Sequence, residues 1–157
     1  MRVCGVDPTR GNMSVSFVED MKEFDYQEYD NSIEGFKSIE ERIREYSIDA
    51  VCIEGYGDAA KQLAIHLKRK GVKVYEINPL MLERLKESIT EHKTDHIDAY
   101  TCALFPFFRR DLKELTLDMD KEGLKNLSRL YEKISKQVTR YKNQLHAALN
   151  QGFGSGY

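Results

Sequence analysis

Residues 49–54 read Asp49-Ala50-Val51-Cys52-Ile53-Glu54, an apolar run without polar alternation that ends in a carboxylate. Such a run is typical of a central β-strand that is covered on both faces of its sheet. Before it, apolar side chains recur at spacings of three and four between Ile33 and Tyr46, after a capping residue that is either Asn31 or Ser32. An amphipathic helix that leads into a covered strand favours an α/β sheet.

The chain before this helix has the pattern of three short strands. Residues 2–6 are rich in β-formers and end at Asp7, residues 8–12 have the residue types of a tight turn, and residues 13–18 form a second β-rich run. The stretch 23–29 alternates weakly and predicts a third strand. The opening therefore predicts an antiparallel meander.

The chain after Glu54 alternates between helix and strand. The predicted elements are a helix over 59–70 closed by Gly71, a strand over 72–77, a helix that starts at Asn78-Pro79, and a helix from Asp95 to Pro106 or shortly after it. The full order is β-β-β-α-β-α-β-α-α, which is the ribonuclease H-like order. The predicted fold class is α/β, a mixed sheet with helices on both faces.

The last third of the chain carries a regular apolar repeat. The steps between its apolar positions alternate between three and four residues over more than three heptads, which predicts a coiled coil or a long helical hairpin. The positions are Leu124, Leu127, Tyr131, Ile134, Val138, Tyr141, Leu145 and Ala148. The predicted organisation is an α/β domain over 1–110, a basic helical arm over 111–150 and a flexible tail over 151–157.

The composition is that of a globular protein with one core and an appendage. Of 157 residues, 41% are hydrophobic and 32% are charged, and no apolar run approaches the roughly 18 residues of a membrane span. The first residues lack the features of a signal peptide, so the expected location is the cytoplasm. Cys4, Cys52 and Cys102 stand singly in apolar stretches, which predicts buried reduced thiols rather than a zinc site.

The charge is unevenly distributed along the chain. The net charge is −2, yet residues 121–150 carry seven basic and two acidic side chains, a balance of +5, which leaves −7 for the first 120 residues. An acidic body with a basic arm suits a protein that binds metal ions at one place and phosphates at another. A solvated helix face would give the same pattern.

Four carboxylates occupy positions that suit a metal centre. Asp7 and Glu54 end two strands, and the carboxyl ends of such strands are the usual place for a site in an α/β sheet. Asp95 and Asp98 lie three residues apart at a helix start, on one face. Converging carboxylates bind hard divalent ions, so Mg2+ or Mn2+ is the expected cofactor. Alternatively, Asp95 caps the helix and Asp98 is an exposed first-turn acid.

Five segments of the chain form a set of motifs that occur in a fixed order. They are Val3-Cys4-Gly5-Val6-Asp7, Ile53-Glu54-Gly55, Val74-Tyr75-Glu76-Ile77-Asn78-Pro79-Leu80, Lys93-Thr94-Asp95-His96-Ile97-Asp98-Ala99 and Lys142-Asn143-Gln144-Leu145-His146. Together they resemble a known family, the DEDD insertion-sequence transposases, which include the Piv-type DNA invertases. The Lys-Thr-Asp-x-x-Asp-Ala block and the Asn-Pro-Leu segment are the specific ones, and the resemblance covers nearly the whole chain.

The resemblance implies a RuvC-like catalytic domain that cleaves and transfers DNA strands, followed by a coiled-coil segment. It implies that Asp7, Glu54, Asp95 and Asp98 are the catalytic metal ligands, with Lys93 and Thr94 beside them as phosphate contacts. The expected partners are DNA, a second copy of the chain through the arm, and structured RNA if a guide is used. On the arm, the expected nucleic-acid contacts are Arg129, Lys133, Lys136, Arg140 and Lys142.

Two departures from the family bear on function. The family has Glu-Ala-Thr-Gly where this chain has Glu54-Gly55-Tyr56-Gly57, which affects local contacts rather than the ligand. The family's carboxy-terminal domain with its serine nucleophile has no counterpart in these residues. The sequence therefore predicts a fragment or an excised domain, whose active site is incomplete for full recombination.

Two rival classes share some of these features. Actin-like kinases begin with a similar strand-turn-strand, but they need two lobes and a second phosphate loop, for which this chain is too short. A non-catalytic nucleic-acid-binding or dimerisation module with a RuvC-like fold is the stronger alternative, and the intact set of four acids argues against it.

His92 and His96 have a spacing that suits a metal on a helix, but a third ligand is not evident.

Overall fold

The computed structural model describes residues 1–55, 57–89, 94–110, 112–117 and 119–153. The chain forms two compact units, Met1–Thr116 and Leu117–Tyr157. The first unit extends past the predicted boundary at residue 110 because the segment that follows packs on its core. Leu112 and Leu115 contact buried apolar clusters of this unit, and the Leu115 amide donates to the Val74 carbonyl. Within the described ranges, no helix is long and apolar enough to cross a membrane.

The first three strands form the predicted meander. They are β1 (Arg2–Pro8), β2 (Asn12–Glu19) and β3 (Lys22–Asp30), paired antiparallel in chain order. Asp20 and Met21 make the β2–β3 turn with positive φ angles. The register shifts between Phe17 and Val18 of β2, where β3 has one extra residue, Phe24, which marks a bulge in β3. Because bulges increase the local twist, the shift bends this part of the sheet.

The parallel half of the sheet comes from β4 (Ala50–Glu54) and β5 (Val74–Ile77). β4 pairs parallel with β1 and with β5, which gives the order β3-β2-β1-β4-β5. The sheet is therefore mixed, with β1 and β4 at its centre. The apolar run 49–54 is the covered central strand that its composition predicts, and residues 50–53 are buried.

Two helices cover one face of the sheet. They are α1 (Ile33–Glu45) and α2 (Asp58–Arg69). Ser32 is the N-cap of α1 and accepts from the Gly35 amide, so the second of the two proposed capping residues is correct. The Glu40 carboxylate on α1 is buried and hydrogen-bonds the His66 ring on α2 at 2.8 Å. This contact joins the two helices.

The opposite face is covered by α3 (Pro79–Ile89) and α4 (Asp95–Phe108). Leu82 of α3 and Cys102 and Phe105 of α4 share one buried cluster with Val3 of β1 and Cys52 of β4. The predicted helices on both faces are thereby confirmed. All three cysteines are buried free thiols, as predicted.

Gly5 allows α4 to pass directly over β1. A Cβ atom at this position would lie 2.0 Å from the Ala99 carbonyl oxygen and 2.4 Å from the Ala103 amide nitrogen, which are backbone atoms of α4. Any side chain at residue 5 would push the helix away from the sheet. The glycine therefore sets the distance between α4 and β1.

The second unit is one helix, α5 (Met119–Phe153). It continues three residues past the predicted end of the arm at 150, and residues 154–157 lie outside the described residues. Its apolar side chains are exposed, including Leu124 at 71% and Tyr131 at 74%. The predicted helix is confirmed, whereas coiled-coil pairing stays a prediction.

Candidate metal centre

Asp7 and Glu54 meet because of strand register. Val6 and Ile53 are Cα partners in the parallel pair of β1 and β4, so Asp7 and Glu54 are neighbours one residue further on. Side chains alternate between the two faces of a strand, which puts Asp7 on the same face as Gly5, and Glu54 on the same face as Cys52. That face is the one that α4 covers.

The third carboxylate comes from α4. Thr94 is the N-cap of this helix, with its side chain accepting from the Ile97 amide, and Asp98 lies one turn in. Because Gly5 lets the helix approach the sheet, Asp98 is held against the strand ends, and it is only 7% exposed. The alternative in which Asp95 caps the helix and Asp98 is exposed is therefore wrong. Thr94 caps the helix, and Asp98 is buried.

Asp7, Glu54 and Asp98 form one cluster. Each offers a carboxylate oxygen, and these oxygens all lie within 4.8 Å of one another. Burial, together with the negative charges of Glu54, Asp98 and Asp95, raises the pKa of Asp7 to about 7. A carboxyl whose ionisation is this unfavourable gains from a nearby cation. The cluster therefore favours a bound positive charge.

Asp95 stands apart from this cluster. It is exposed in the first turn of α4, and it is not among the three residues that converge within 4.8 Å. Its charge still acts on Asp7, whose pKa it raises. The structure thus brings three of the four predicted ligands together and leaves the fourth at the edge of the site.

Lys86 is a member of the site that sequence reasoning missed. This α3 side chain is 7% exposed, and its Nζ donates to Asp98 Oδ1 at 2.8 Å and lies 3.0 Å from Glu83 Oε2. Burial by itself lowers the pKa of Lys86, but the hydrogen bonds to Asp98 and Glu83 outweigh it and the pKa is raised. The only available signal was a lysine at an apolar spacing, four residues after Leu82.

A polar rim surrounds the start of α4. His96 Nε2 lies 2.8 Å from Glu23 Oε2 of β3, and its ring packs against the ring of Tyr26 with centroids 4.1 Å apart. The contact links the first turn of α4 to the edge strand of the sheet. His96 is thus engaged with a carboxylate, and His92 lies outside the described residues.

In the described part of the chain, the remaining predicted contacts with nucleic acid lie at the start of α4 and on α5. Thr94 is exposed at the start of α4, and Lys93 lies outside the described residues. The predicted contacts on the arm are all exposed on α5. They are Arg129, Lys133, Lys136, Arg140 and Lys142.

The donor set fits a hard divalent cation. All three converging groups are carboxylates, and oxygen ligands of this kind are those that Mg2+ and Mn2+ prefer. Two of the three are anchored on adjacent strands and the third on a packed helix, so the donors are held by rigid elements. The residues present therefore fit the expected metal.

A mixed sheet of this order, with carboxylates at the ends of its two central strands and a third on the crossing helix, defines a ribonuclease H-like domain with an acidic centre. The fold is similar to that of Thermus thermophilus RuvC, with a TM-score of 0.57 and 18% identity over 73% of this chain and 100% of that one. A second structure, T. thermophilus RuvC in complex with Holliday junction substrate, gives a TM-score of 0.55 and 19% identity over 73% of this chain and 99% of that one. The RuvC-like fold is therefore confirmed.

The sequence also matches a protein-family model. The family model of the IS110-type DEDD transposases, described as a transposase, matches residues 4–154. The chain therefore belongs to this transposase family, as the motifs indicated. A search of curated proteins returns no match.

Proposed function

We propose that the chain is the metal-dependent DNA cleavage and strand-transfer domain of a DEDD transposase or site-specific recombinase. The observation that carries the proposal is the convergence of Asp7, Glu54 and Asp98 within 4.8 Å at the ends of β1 and β4. Family membership supports the substrate class, because transposases act on DNA. Asp95 completes the proposed ligand set from the rim, and Mg2+ or Mn2+ is the proposed cofactor.

The proposed chemistry divides between the ion and the chain. A bound divalent ion polarises a phosphodiester and lowers the pKa of the attacking water or hydroxyl. Asp7 and Glu54 supply anionic oxygens from the sheet, and Asp98 supplies one from α4. Thr94 still has a hydroxyl proton to donate to a phosphate oxygen while it caps the helix. Lys93, the preceding residue in the sequence, is the proposed second phosphate contact. That full recombination needs a serine-bearing domain stays a prediction.

Calorimetric titration with Mn2+ tests the metal centre. We expect stoichiometric binding by the parent and affinities more than about a hundredfold weaker in Asp7→Asn and Asp98→Asn, since each removes a ligand. Asp58→Asn is the matched control, because Asp58 is also a first-turn acid but on α2. A parent that binds no Mn2+ would instead support the non-catalytic module, in which Lys86 already neutralises Asp98.

A DNA assay tests the reaction. Branched or supercoiled DNA is incubated with the protein in Mn2+ or in chelator, and strand breaks are counted. We expect metal-dependent breaks with the parent and background levels with Asp98→Asn. Equal cleavage by both proteins would contradict the assignment of the site.

The proposed DNA contact is the basic side of α5. In a heptad numbering that puts the apolar repeat at positions a and d, Arg129 and Lys136 fall at f, Lys133 and Arg140 at c, and Lys142 at e. Positions c and f lie opposite the a/d seam. The arm thus carries phosphate-binding charge on one side and an apolar stripe on the other.

We also propose that the apolar stripe pairs with α5 of a second copy. A helix of 35 residues is roughly 50 Å long, and its exposed stripe runs along most of that length. Leu112 and Leu115, apolar residues that precede α5 in the chain, pack against the core of the first unit. Titration of the same dimer with structured RNA decides whether a guide-like RNA is a further partner.

A further inference from the structure

Lys86 is a buried ammonium group inside a site otherwise made of carboxylates. It lies on the covered side of α3, and its side chain is 8% exposed. Lysines are almost never buried at this level without a charged partner. Its closest partner, Asp98, is one of the three residues that converge on the candidate metal position.

The charge of Lys86 acts on the whole cluster and not on Asp98 alone. It lowers the pKa of Asp7, against the carboxylates that raise it. Glu54 in turn raises the pKa of Lys86. The ammonium therefore interacts with all three converging carboxylates, in the same electrostatic role as a metal ion.

Glu83 provides a second position for the same ammonium. It lies one turn before Lys86 on α3, its carboxylate is 3.0 Å from Nζ, and its side chain is half exposed. A rotation of the lysine side chain can release Asp98 while the contact with Glu83 is kept. The charge of Lys86 then remains paired, which avoids the large cost of an unpaired buried ammonium.

We propose that Lys86 is the resident counter-cation of the metal-free centre, and that a divalent ion displaces it from Asp98 onto Glu83. The inference rests on the proposed metal centre. Lys86 is a positioning residue in this scheme, since it acts through Asp98. Its role is to hold the carboxylates together before the ion arrives and to set how tightly the ion binds.

Two substitutions with opposite expected effects test the exchange, with Mn2+ titrated into the full chain. Lys86→Met keeps the buried length but removes the competing charge, so we expect about tenfold tighter Mn2+ binding. Glu83→Gln removes the alternative anionic partner, so we expect about threefold to tenfold weaker binding. Glu87→Gln is the matched control, because it removes an exposed carboxylate next to Lys86 on the same helix, and we expect parental affinity.

Thermal unfolding in chelator supplies a second readout. We expect Lys86→Met to lower the melting temperature of the metal-free protein, because three carboxylates lose their counter-charge, and to show a larger rise on Mn2+ addition than the parent. A purely structural lysine would instead give weaker Mn2+ binding together with the lost stability. That result would overturn the inference.

Each of the other possible outcomes also supports or overturns the exchange. If Lys86→Met does not fold, Glu83→Gln alone carries the test, and parental affinity in that variant overturns the exchange. If Lys86→Met and Glu83→Gln both bind Mn2+ with the affinity of the parent, the exchange is also overturned. A parent that fails to bind Mn2+ removes the metal centre itself and this inference with it, which distinguishes the two failures.

Discussion

Asp7 is the residue whose environment has the clearest consequence for stability. Its pKa is about 7 in the folded protein against 3.8 for an ordinary aspartate, so the folded state binds this proton more tightly than the unfolded state. By linkage, the contribution of Asp7 destabilises the metal-free fold as pH rises from about 4 to about 7, and the loss is complete above pH 7. At low pH the contribution vanishes, because both states are protonated.

We therefore predict that Asp7→Asn raises the melting temperature of the metal-free protein by several degrees at pH 8. The difference from the parent should shrink between pH 7 and pH 4. Thermal unfolding in chelator across this range measures it, and Asp58→Asn controls for the loss of an acid elsewhere. A difference in melting temperature that does not depend on pH would show that the pKa of Asp7 is not raised in the folded protein.

At the residue scale, sequence predicted the carboxylates better than their surroundings. Asp7, Glu54 and Asp98 were found because strand ends and helix starts can be recognised from local pattern and family motif. Lys86 was missed because its partner, Asp98, is twelve residues away and the contact depends on how α3 packs against α4. The separation of Asp95 from the cluster likewise depends on the rotation of α4 about its axis, which spacing alone does not define.

The close approach of α4 to β1 is the element-scale feature on which the site depends. We predict that Gly5→Ala destabilises the first unit by about 1–3 kcal/mol, because the added methyl overlaps backbone atoms of α4. It should also weaken Mn2+ binding, since α4 carries Asp98. Denaturant unfolding and calorimetry measure the two effects.

Gly11→Ala is the matched control for this prediction. A Cβ at Gly11 meets nothing within 4 Å, so the variant should unfold and bind Mn2+ like the parent. Parental stability in Gly5→Ala would mean that α4 does not need the glycine. If Gly5→Ala loses stability but binds Mn2+ like the parent, the packing of α4 on β1 does not determine the position of Asp98.

The basic side of α5 carries the element-scale prediction for nucleic acid. Reversing Arg129, Lys133 and Arg140 to Glu should weaken DNA binding at least about tenfold at low salt and flatten its salt dependence, because each lost phosphate contact reduces the slope by roughly 0.9. Fluorescence anisotropy across a salt series measures both. Reversal of Lys22, Lys37 and Lys73, which are exposed on the first unit, is the control, and equal losses in both triples would indicate nonspecific charge effects only.

The elements themselves were largely accessible from sequence. The meander, the covered strand and the helices follow from periodicity and turn residues, which are local properties. The compact unit runs to Thr116 because Leu112 and Leu115 pack on its core, and this packing cannot be predicted from sequence since both residues follow a polar break.

For the whole molecule, the prediction concerns assembly. Ile134→Asp with Val138→Asp should convert a dimer into a monomer, because both side chains lie at the centre of the exposed stripe of α5. Light scattering at tens of micromolar measures the mass. Asn126→Asp with Asn143→Asp changes the opposite side of the helix and should leave the dimer intact. A monomeric parent would contradict the proposal.

The central claim is that three carboxylates from β1, β4 and α4 bind a catalytic divalent ion. Anomalous diffraction from crystals soaked in Mn2+ tests it most directly. We predict a manganese peak within bonding distance of Asp7, Glu54 and Asp98, with Lys86 turned from Asp98 towards Glu83. A map without a peak between these carboxylates, with Asp98 still paired to Lys86, would contradict the claim.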